Sequence, residues 1–375
     1  MSFSTRAKTP HRREVVVIGG GQAGLAIGYH LARVGRDFVI LEAADEPAAA
    51  WRARWDSLTL FTPARYSGLP GLPFPGDPDR YPRRDEVGDY LTEYAEHFDL
   101  PVELGSRVRS VVDVAGGGYR LELEGRAYVA EQVVVATGSF QVPFVPAIGG
   151  RLDPRVRQMH STAYRSPRDV PYGTVLVVGG GNTGFQIAEE LSESHEVHLS
   201  IGSRQTPLPQ RILGRDLFWY LDGTGLIRKS VETRIGRRMA GRDTLIGSTP
   251  RRIRKYGVRL HGRATEVVNG TAVAFADGEG LEPGAVIWAT GFRPDQSWIG
   301  APVFGEDGRV AHTRGVTAAP GLYFVGLSWQ HTRGSALLGW VGDDAEFIAR
   351  QIDTFRPHAR PRAGERATST AGDQP

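Results

Sequence analysis

Two glycine-rich turns in this sequence have the spacing that binds dinucleotides. Each has the pattern Gly-x-Gly-x-x-Gly, follows an apolar β-branched run and opens a segment of helical periodicity. The first glycine allows a tight turn, the second lets a pyrophosphate approach the backbone, and the third lets the helix pack against the strand. The N–H groups and the partial positive charge of the helix N-terminus then bind the phosphates. The first turn predicts a nucleotide site formed by Gly19, Gly21, Gln22, Ala23 and Gly24.

The residues after the next strand indicate which dinucleotide each turn binds. After the first turn, the segment 37–41 ends at Glu42, whose carboxylate can accept hydrogen bonds from both hydroxyls of an adenosine ribose. After the second turn no acid stands at this place, and Arg204 stands there instead. An arginine can pair with a 2′-phosphate, whereas a carboxylate would repel it. The second turn therefore favours NADPH, and a solvated loop role for Arg204 is the alternative. The predicted second site comprises Gly179, Gly181, Asn182, Thr183, Gly184, Ser203 and Arg204.

Two Ala-Thr-Gly tripeptides support this pairing of sites. Each ends a predicted buried strand, one in the first half of the chain and one in the second. Small residues at these places let the chain pass close to a bound dinucleotide. The tripeptides add Ala136, Thr137, Gly138, Thr290 and Gly291 to the predicted cofactor-binding residues.

The composition excludes several other functions. The 375 residues include no cysteine, which excludes a catalytic thiol, a disulfide scaffold, a zinc–cysteine site and an iron–sulfur cluster. The net charge of +3 favours small anionic ligands over nucleic acid, and the arginine-rich stretch 234–254 lacks interleaved aromatic residues. Residues 15–32 carry no charge, but glycines interrupt them, so we expect a buried strand and helix. We predict no metal site, no membrane span and a soluble, cytoplasmic protein, with a homodimer left open.

The repeat also predicts the architecture. The first glycines of the two turns are 160 residues apart, which suits two domains of related design. We expect an α/β fold of two nested Rossmann-like dinucleotide-binding domains, with parallel strands and helices on both faces. A small β-meander is expected near Val108, and helices are expected over 85–98 and 335–352. The predicted boundaries are 1–165 and 281–355 for the domain of the first glycine turn, 166–280 for the inserted NADPH domain, and 356–375 for a disordered tail.

The chain resembles the flavin-containing monooxygenases, including the plant YUCCA-type enzymes and their bacterial relatives. The resemblance covers about residues 13–352. It rests on both glycine turns, RWDSLTLFTP, LPGLPFP, ATGSFQVPFVP, MHSTAYR, IWATGFRPD and GLYFVGLSWQHTRGSALLG. It implies FAD at the first site and NADPH at the second. It also implies that FAD contacts Trp51, Arg52, Val108, Ser335 and Leu337, the last two from a helix start facing the flavin pyrimidine.

The resemblance implies a reaction. NADPH would reduce FAD, and dioxygen would add at flavin C4a to give a peroxyflavin that is shielded from water. Its oxygen would pass to a small soft nitrogen or sulfur nucleophile, or to an activated carbonyl carbon. The expected substrate pocket includes Phe61, Tyr66, Trp329 and His331, with simple packing as the alternative for the last two. The alternative function is an FAD-dependent NAD(P)H reductase that passes electrons to a carrier protein.

The chain departs from the family pattern in places. The family signature has an aromatic residue and a glycine where Pro154 and Val156 stand, although His160 and Tyr164 remain. Tyr164 stands where Baeyer–Villiger monooxygenases typically have tryptophan, so ester formation from ketones is less favoured. Phe61 stands where the animal-type enzymes have an asparagine. A lone histidine is more often structural than catalytic, so His160 is open between a catalytic role and bracing the link between the domains.

Overall fold

The computed structural model describes residues 9–203, 205–241 and 244–356. The predicted contact of Arg204 and the predicted tail beyond Arg356 lie outside these ranges. The strands are β1 His11–Ile18, β2 Phe38–Leu41, β3 Val102–Glu103, β4 Ser110–Asp113, β5 Tyr119–Glu122, β6 Ala127–Val135, β7 Val142–Pro143, β8 Arg157–His160, β9 Thr174–Val178, β10 Glu196–Ser200, β11 Thr206–Leu208, β12 Arg211–Ile212, β13 Arg215–Asp216, β14 Thr244–Ile246, β15 Arg259–His261, β16 Ala264–Val268, β17 Ala272–Phe275, β18 Gly280–Leu281, β19 Ala285–Trp288, β20 Phe292–Arg293, β21 His312–Thr313, β22 Val316–Thr317 and β23 Leu322–Phe324.

The helices connect and cover these strands. The α-helices are α1 Gln22–Arg33, α2 Ala49–Arg52, α3 Arg84–His97, α4 Asn182–Leu191, α5 Leu217–Gly223, α6 Arg234–Met239, α7 Pro250–Arg254 and α8 Val341–Thr354. Short 3₁₀ helices lie at Ala64–Tyr66, Ala147–Arg151, Pro167–Asp169, Leu226–Arg228 and Arg333–Ala336. Within the described ranges, none of the helices has the length and apolar character that crossing a bilayer requires.

The first sheet holds the first glycine turn. Its strands run in the order β21-β22-β23-β6-β1-β2-β3, and β1 pairs in parallel with both β2 and β6. Strand β1 ends in four buried residues, VVVI, as expected of a strand covered on both faces. The chain enters the glycine turn directly from this strand and continues into α1.

The two faces of this sheet are covered differently. Helices α1, α3 and α8 pack on one face. The other face packs against the antiparallel hairpin β4–β5 and the segment 299–303, and no helix contributes to that cluster among the described residues. The α/β class is confirmed, but helices on both faces of this sheet are not found, because the expected meander takes the second face.

The second sheet repeats this plan. Its order is β15-β10-β9-β19-β8, and all of its pairs are parallel. Helices α4 and α7 pack on one face, and the hairpin β16–β17 packs on the other. Strands β8 and β19 belong to this sheet although they lie outside the predicted range 166–280. They pair with each other, and β19 also pairs with β9. The second sheet therefore begins before residue 166 and ends after residue 280.

The C-terminal helix starts later than the sequence suggests. A 3₁₀ turn covers Arg333–Ala336, the backbone is extended at Leu337, and α8 begins at Val341. A Cβ on Gly339 would lie 2.1 Å from the Tyr66 carbonyl oxygen, so the chain passes tightly against another segment here. The prediction of a helix over 335–352 is wrong at its N-terminal end, and Ser335 and Leu337 do not open an α-helix.

Candidate dinucleotide sites and active site

The first glycine turn packs against the first Ala-Thr-Gly segment. Gly19 has a φ of +110°, and a Cβ there would lie 2.7 Å from the carbonyl oxygen of Ala136. A Cβ on Gly24 would lie 1.8 Å from the carbonyl oxygen of Gly19. Side chains cannot be accommodated at such distances, so these two glycines are required by the turn itself. The small Ala136 lets strand β6 approach the turn.

Gly21 differs from its two partners. A Cβ built on Gly21 meets no atom within 4 Å, so the side chain would enter open space at the N-terminus of α1. That space is where a pyrophosphate would lie against the backbone. Glu42 borders the same turn: its Oε2 accepts from Gly20 N at 2.7 Å and its Oε1 from Ala44 N at 2.9 Å. The open cradle and the held carboxylate fit the diphosphate and ribose of FAD.

The second glycine turn has the same geometry. Gly179 has a φ of +135°, and a Cβ there would lie 2.1 Å from the carbonyl oxygen of Ala289. A Cβ on Gly184 would lie 1.9 Å from the Gly179 carbonyl oxygen. A Cβ on Gly181 again meets nothing within 4 Å. Each Ala-Thr-Gly segment thus closes its own turn, and each turn leaves its middle glycine open for a phosphate.

A different side chain lies over the second turn. A Cβ on Gly180 would lie 2.8 Å from Nε2 of Gln205, whereas a Cβ on Gly20 would lie 3.1 Å from Oε2 of Glu42. Gln205 also donates from Nε2 to the backbone carbonyl of Ser203 at 3.2 Å. The Cγ2 atom of Ile201 lies at the same 2.8 Å from this position, so an amide and an aliphatic side chain border the second turn where a carboxylate borders the first. The sequence analysis missed Gln205 because its place depends on the path of the loop after β10.

A cation borders the same loop. The guanidinium of Arg263 donates to the backbone carbonyl of Gly202, next to Ser203. Arg263 is exposed and follows β15, far from the loop in sequence. The described residues therefore place a positive charge beside the predicted adenosine end of this site, although sequence spacing alone did not reveal it.

The predicted residues Asn182 and Thr183 lie at the start of α4. Asn182 donates from Nδ2 to the Thr244 carbonyl at 3.0 Å and accepts from Ile246 N at 2.9 Å. Its amide thus ties the glycine turn to strand β14.

The two Ala-Thr-Gly loops are connected by Gln141. Its Nε2 donates to Thr137 Oγ1 at 2.7 Å and to the Gly138 carbonyl at 3.0 Å. Its Oε1 accepts from Asp295 N at 2.6 Å, in the segment after the second loop. In the second loop, Thr290 donates from Oγ1 to the Phe144 carbonyl. The loops that close the two turns are therefore held at a fixed separation.

His160 also braces this junction. Its Nδ1 accepts from Thr162 N at 3.2 Å, so Nε2 carries the hydrogen and donates to the Gly291 carbonyl at 3.0 Å. Burial lowers the pKa of His160, the hydrogen bond to Gly291 opposes this shift, and the Arg54 charge adds to it. The geometry fits a neutral histidine that positions the second Ala-Thr-Gly loop. Tyr164 is buried and donates to Glu190 at 2.7 Å, which holds the link segment against α4.

The remaining predicted flavin contacts are scattered. Trp51 packs on the helical side of the first sheet, and Arg52 pairs with Asp89 of α3 at 2.9 Å. Val108 packs on the hairpin side of that sheet. The turn holding Ser335 and Leu337 does meet the first site, because Gln22 donates from Nε2 to the Ala336 carbonyl at 3.0 Å. Ser335 is fully buried, and its Oγ accepts from the backbone N–H groups of His331 and Thr332.

The residues predicted to line a substrate pocket do not share one cavity. Phe61 stacks on Phe218 with ring centroids 5.9 Å apart, and Phe218 stacks on Trp340 at 5.7 Å. Tyr66 also stacks on Trp340 at 5.8 Å and lines an open pocket of about 490 Å³. These four rings belong to one hydrophobic cluster that includes residues of α5.

A separate apolar cavity holds Trp329. It has a volume of about 270 Å³ and lies between strands β11 and β14, helix α5 and the loop after β23. Trp329 and Arg333 line it from the chain after β23, and Arg238 of α6 lines it as well. His331 is not among the lining residues: its carbonyl accepts from Val231 N at 2.8 Å. The apolar lining includes Leu208, Leu217, Phe218, Leu221, Ile227 and Ile246.

Comparison of the whole chain with known proteins shows the family to which it belongs. The profile described as pyridine nucleotide-disulphide oxidoreductase matches residues 16–210. An uncharacterized CzcO-like oxidoreductase of Geobacillus kaustophilus is 42% identical over 91% of this chain and 99% of its own. The flavin-containing monooxygenase from Stenotrophomonas maltophilia has a TM-score of 0.76 and 31% identity, over 92% of this chain and 98% of that one. The chain belongs to the flavin monooxygenase family.

Plant members of the family are also similar to this flavin monooxygenase. The probable indole-3-pyruvate monooxygenase YUCCA7 of Arabidopsis thaliana is 30% identical over 90% of this chain and 86% of its own. The resemblance drawn from the sequence motifs is thereby confirmed, and so is an oxidoreductase fold with Rossmann-like domains. The absence of cysteine separates this flavin monooxygenase from oxidoreductases that work through a cysteine pair of their own.

Proposed function

We propose that this protein is an NADPH-dependent flavoprotein monooxygenase that oxygenates a small substrate at a soft nitrogen, a sulfur or an activated carbonyl carbon. The observation that carries the proposal is the pair of matching glycine turns, one beside the carboxylate of Glu42 and the other beside the amide of Gln205. Such a pair fits two different dinucleotides.

When bound, FAD would supply the redox chemistry, which is hydride acceptance from NADPH and reaction with dioxygen. The chain's own residues bind and orient it. The open backbone at Gly21 would receive the pyrophosphate, and Glu42 would accept hydrogen bonds from the ribose hydroxyls. Gln141 and His160 hold the Ala-Thr-Gly loops in place around the two cofactors. Because FAD and NADPH would carry the redox chemistry, the side chains need not supply an acid–base pair.

The preference for NADPH follows from charge. A carboxylate beside the second turn would repel a 2′-phosphate, but Gln205 is neutral and can donate a hydrogen bond. Arg263 brings a positive charge to the same loop through its contact with Gly202. Ser203 adds a hydroxyl at the loop itself. These groups favour the phosphorylated ribose of NADPH over the two hydroxyls of NADH.

The apolar cavity beside Trp329 is the proposed substrate site. Its walls are mainly aliphatic and aromatic, so they favour an apolar body and exclude the water that would compete for activated oxygen. Its volume of about 270 Å³ limits the occupant to a small molecule. The plant relatives named for indole-3-pyruvate make small 2-oxo acids one class to include in substrate tests.

The experiment is a substrate screen under ¹⁸O₂ with the FAD-loaded protein and NADPH. Amines, sulfides, 2-oxo acids and ketones form the panel, and product masses are measured. We expect at least one class to gain a single ¹⁸O atom with consumption of NADPH. If no class gains the label while a redox carrier protein is reduced rapidly, the function is the alternative one, an NAD(P)H reductase that serves a carrier.

A further inference from the structure

A buried pair of histidines lies at the β15 edge of the second sheet, opposite the edge formed by β8 and His160. His198 of β10 and His261 of β15 stack with ring centroids 5.0 Å apart, and their side chains are 5% and 6% exposed. His198 Nδ1 lies 2.7 Å from His261 Nε2, which is hydrogen-bond distance. Phe275 also stacks on His261, with ring centroids 4.2 Å apart, and holds its ring in place.

Carboxylates stand at both outer ends of this pair. Glu196 Oε1 lies 3.6 Å from His198 Nε2, and Glu279 Oε2 lies 2.8 Å from His261 Nδ1. Both of these outer nitrogens are buried and have no hydrogen-bond partner among the described residues. Asp277 lies next to Glu279 in the turn between β17 and β18, and its carboxylate accepts from Gly262 N and Glu279 N.

The hydrogen count of the pair leaves two arrangements, because only one hydrogen fits between the two rings. If His198 donates it, His261 can donate from Nδ1 to Glu279, and the lone pair of His198 Nε2 faces Glu196, whose Oε1 is already paired with Arg259 at 2.8 Å. If His261 donates it from Nε2, the lone pair of its Nδ1 points toward the Glu279 carboxylate, which has no arginine or lysine partner among the described residues. A positive ion between Nδ1 and that carboxylate would stabilise the second arrangement.

We propose that His261 Nδ1, Asp277 and Glu279 form a binding site for a divalent transition metal ion. Their ligand atoms all lie within 4.8 Å of one another. The 2.8 Å separation of nitrogen and oxygen is near the spacing of about 3.0 Å between neighbouring ligands of an octahedral ion with bonds of about 2.1 Å.

The surroundings suit such an ion. With the metal on Nδ1, His261 donates from Nε2 to His198, and His198 can donate from its own Nε2 toward Glu196. A histidine ligand whose second nitrogen is held in this way has the correct tautomer for metal binding. One imidazole with two carboxylates favours zinc, nickel or iron over magnesium or calcium. The exposed carboxylates leave the remaining coordination positions to water.

Zinc is the probe for the test. The full-length protein is stripped with a chelator and dialysed at pH 7.5 against buffered Zn²⁺, and bound zinc per chain is measured by elemental analysis. We expect one ion whose affinity falls at least tenfold in Glu279→Gln. Asp277→Asn should lower it in the same direction. Glu282→Gln, which removes an exposed carboxylate just beyond β18 and outside the cluster, is the matched control and should bind zinc as the parent does.

The result is independent of monooxygenase activity, because zinc content and NADPH oxidation are read separately. Zinc binding that is equal in the parent, Glu279→Gln and Asp277→Asn would overturn the proposal, since the ion would then lie elsewhere. The absence of stoichiometric zinc from the parent protein would overturn it as well. Folding of each variant is checked by its thermal unfolding temperature.

Discussion

Gln205 lies over Gly180 as Glu42 lies over Gly20. The Nε2 of Gln205 is 2.8 Å from the position of a Cβ on Gly180, and Oε2 of Glu42 is 3.1 Å from that of a Cβ on Gly20. Both turns thus have a polar side chain over a glycine, and Ile201 lies equally close to Gly180, with its Cγ2 2.8 Å from the same Cβ position. A carboxylate borders the first turn and uncharged side chains lie this close to the second, a difference that fits the proposed sites for FAD and NADPH.

The first prediction concerns this difference. Gln205→Glu places a carboxylate beside the second turn, where it repels a 2′-phosphate and can accept hydrogen bonds from ribose hydroxyls. We expect the KM for NADPH to rise about tenfold, equivalent to about 1.4 kcal/mol, and the KM for NADH to fall. Steady-state kinetics with both cofactors measures the effect. An unchanged ratio of the two would show that Gln205 does not face the ribose.

The second prediction concerns the two open glycines. Gly21→Val places a side chain in the space left for the FAD pyrophosphate, so the purified variant should be nearly colourless. Gly181→Val is its matched control, because the same change at the second turn should leave FAD bound but slow flavin reduction by NADPH. Absorbance at the flavin band after gel filtration measures the FAD content of both variants. The loss of that absorbance on mixing with NADPH measures flavin reduction. Full FAD occupancy in Gly21→Val would contradict the placement of the cofactor.

The third prediction concerns the apolar cavity. Leu221→Trp fills part of the space beside Trp329, and we expect kcat/KM for the oxygenated substrate to fall at least tenfold. NADPH oxidation without substrate should stay within about twofold of the parent, because the cofactor sites are untouched. Leu226→Trp changes a neighbouring partly buried leucine that does not line the cavity and serves as control. Equal losses in both variants would place the substrate elsewhere.

The fourth prediction concerns pH. The pKa of His160 is lowered in the fold, chiefly by burial, so the unfolded chain binds more protons than the folded one just below the ordinary histidine value of about 6.5. Stability from this group is therefore complete above about pH 6.5 and is lost as the pH falls through the folded pKa. The unfolding temperature of the parent should fall on acidification, and His160→Gln should show a smaller fall. An equal fall in both proteins would show that His160 does not contribute to this pH dependence.

Much of the site could be predicted from sequence because it depends on local patterns. Gly19, Gly24 and Glu42 belong to one strand–turn–helix–strand unit, whose spacing alone determines where they meet. Gln205 and Arg263 could not be predicted, because Gln205 reaches the second turn through the path of its loop, and Arg263 reaches that loop at Gly202 through strand pairing between distant segments. No residue type marks such a path in the sequence.

The same distinction explains the errors in the fold. The pairing of β8 with β19 joins residues that are far apart in the chain, so the second sheet exceeds the range that its motif suggests. The late start of α8 follows from a close contact between Gly339 and Tyr66, which helical periodicity cannot reveal. The apolar cavity likewise needs Trp329 to meet the segment 206–246, a contact that only the tertiary structure brings about.

The most direct test of the central claim is the ratio of oxygenated product to NADPH. The FAD-loaded protein is placed in an oxygen electrode with limiting NADPH and the substrate found in the ¹⁸O₂ screen, first alone and then with a redox carrier protein such as a ferredoxin. The account predicts one dioxygen consumed and one oxygenated product formed per NADPH, with little hydrogen peroxide, at a rate that the carrier does not increase. Oxygen uptake that yields only hydrogen peroxide, or rapid NADPH oxidation only after the carrier is added, would contradict it.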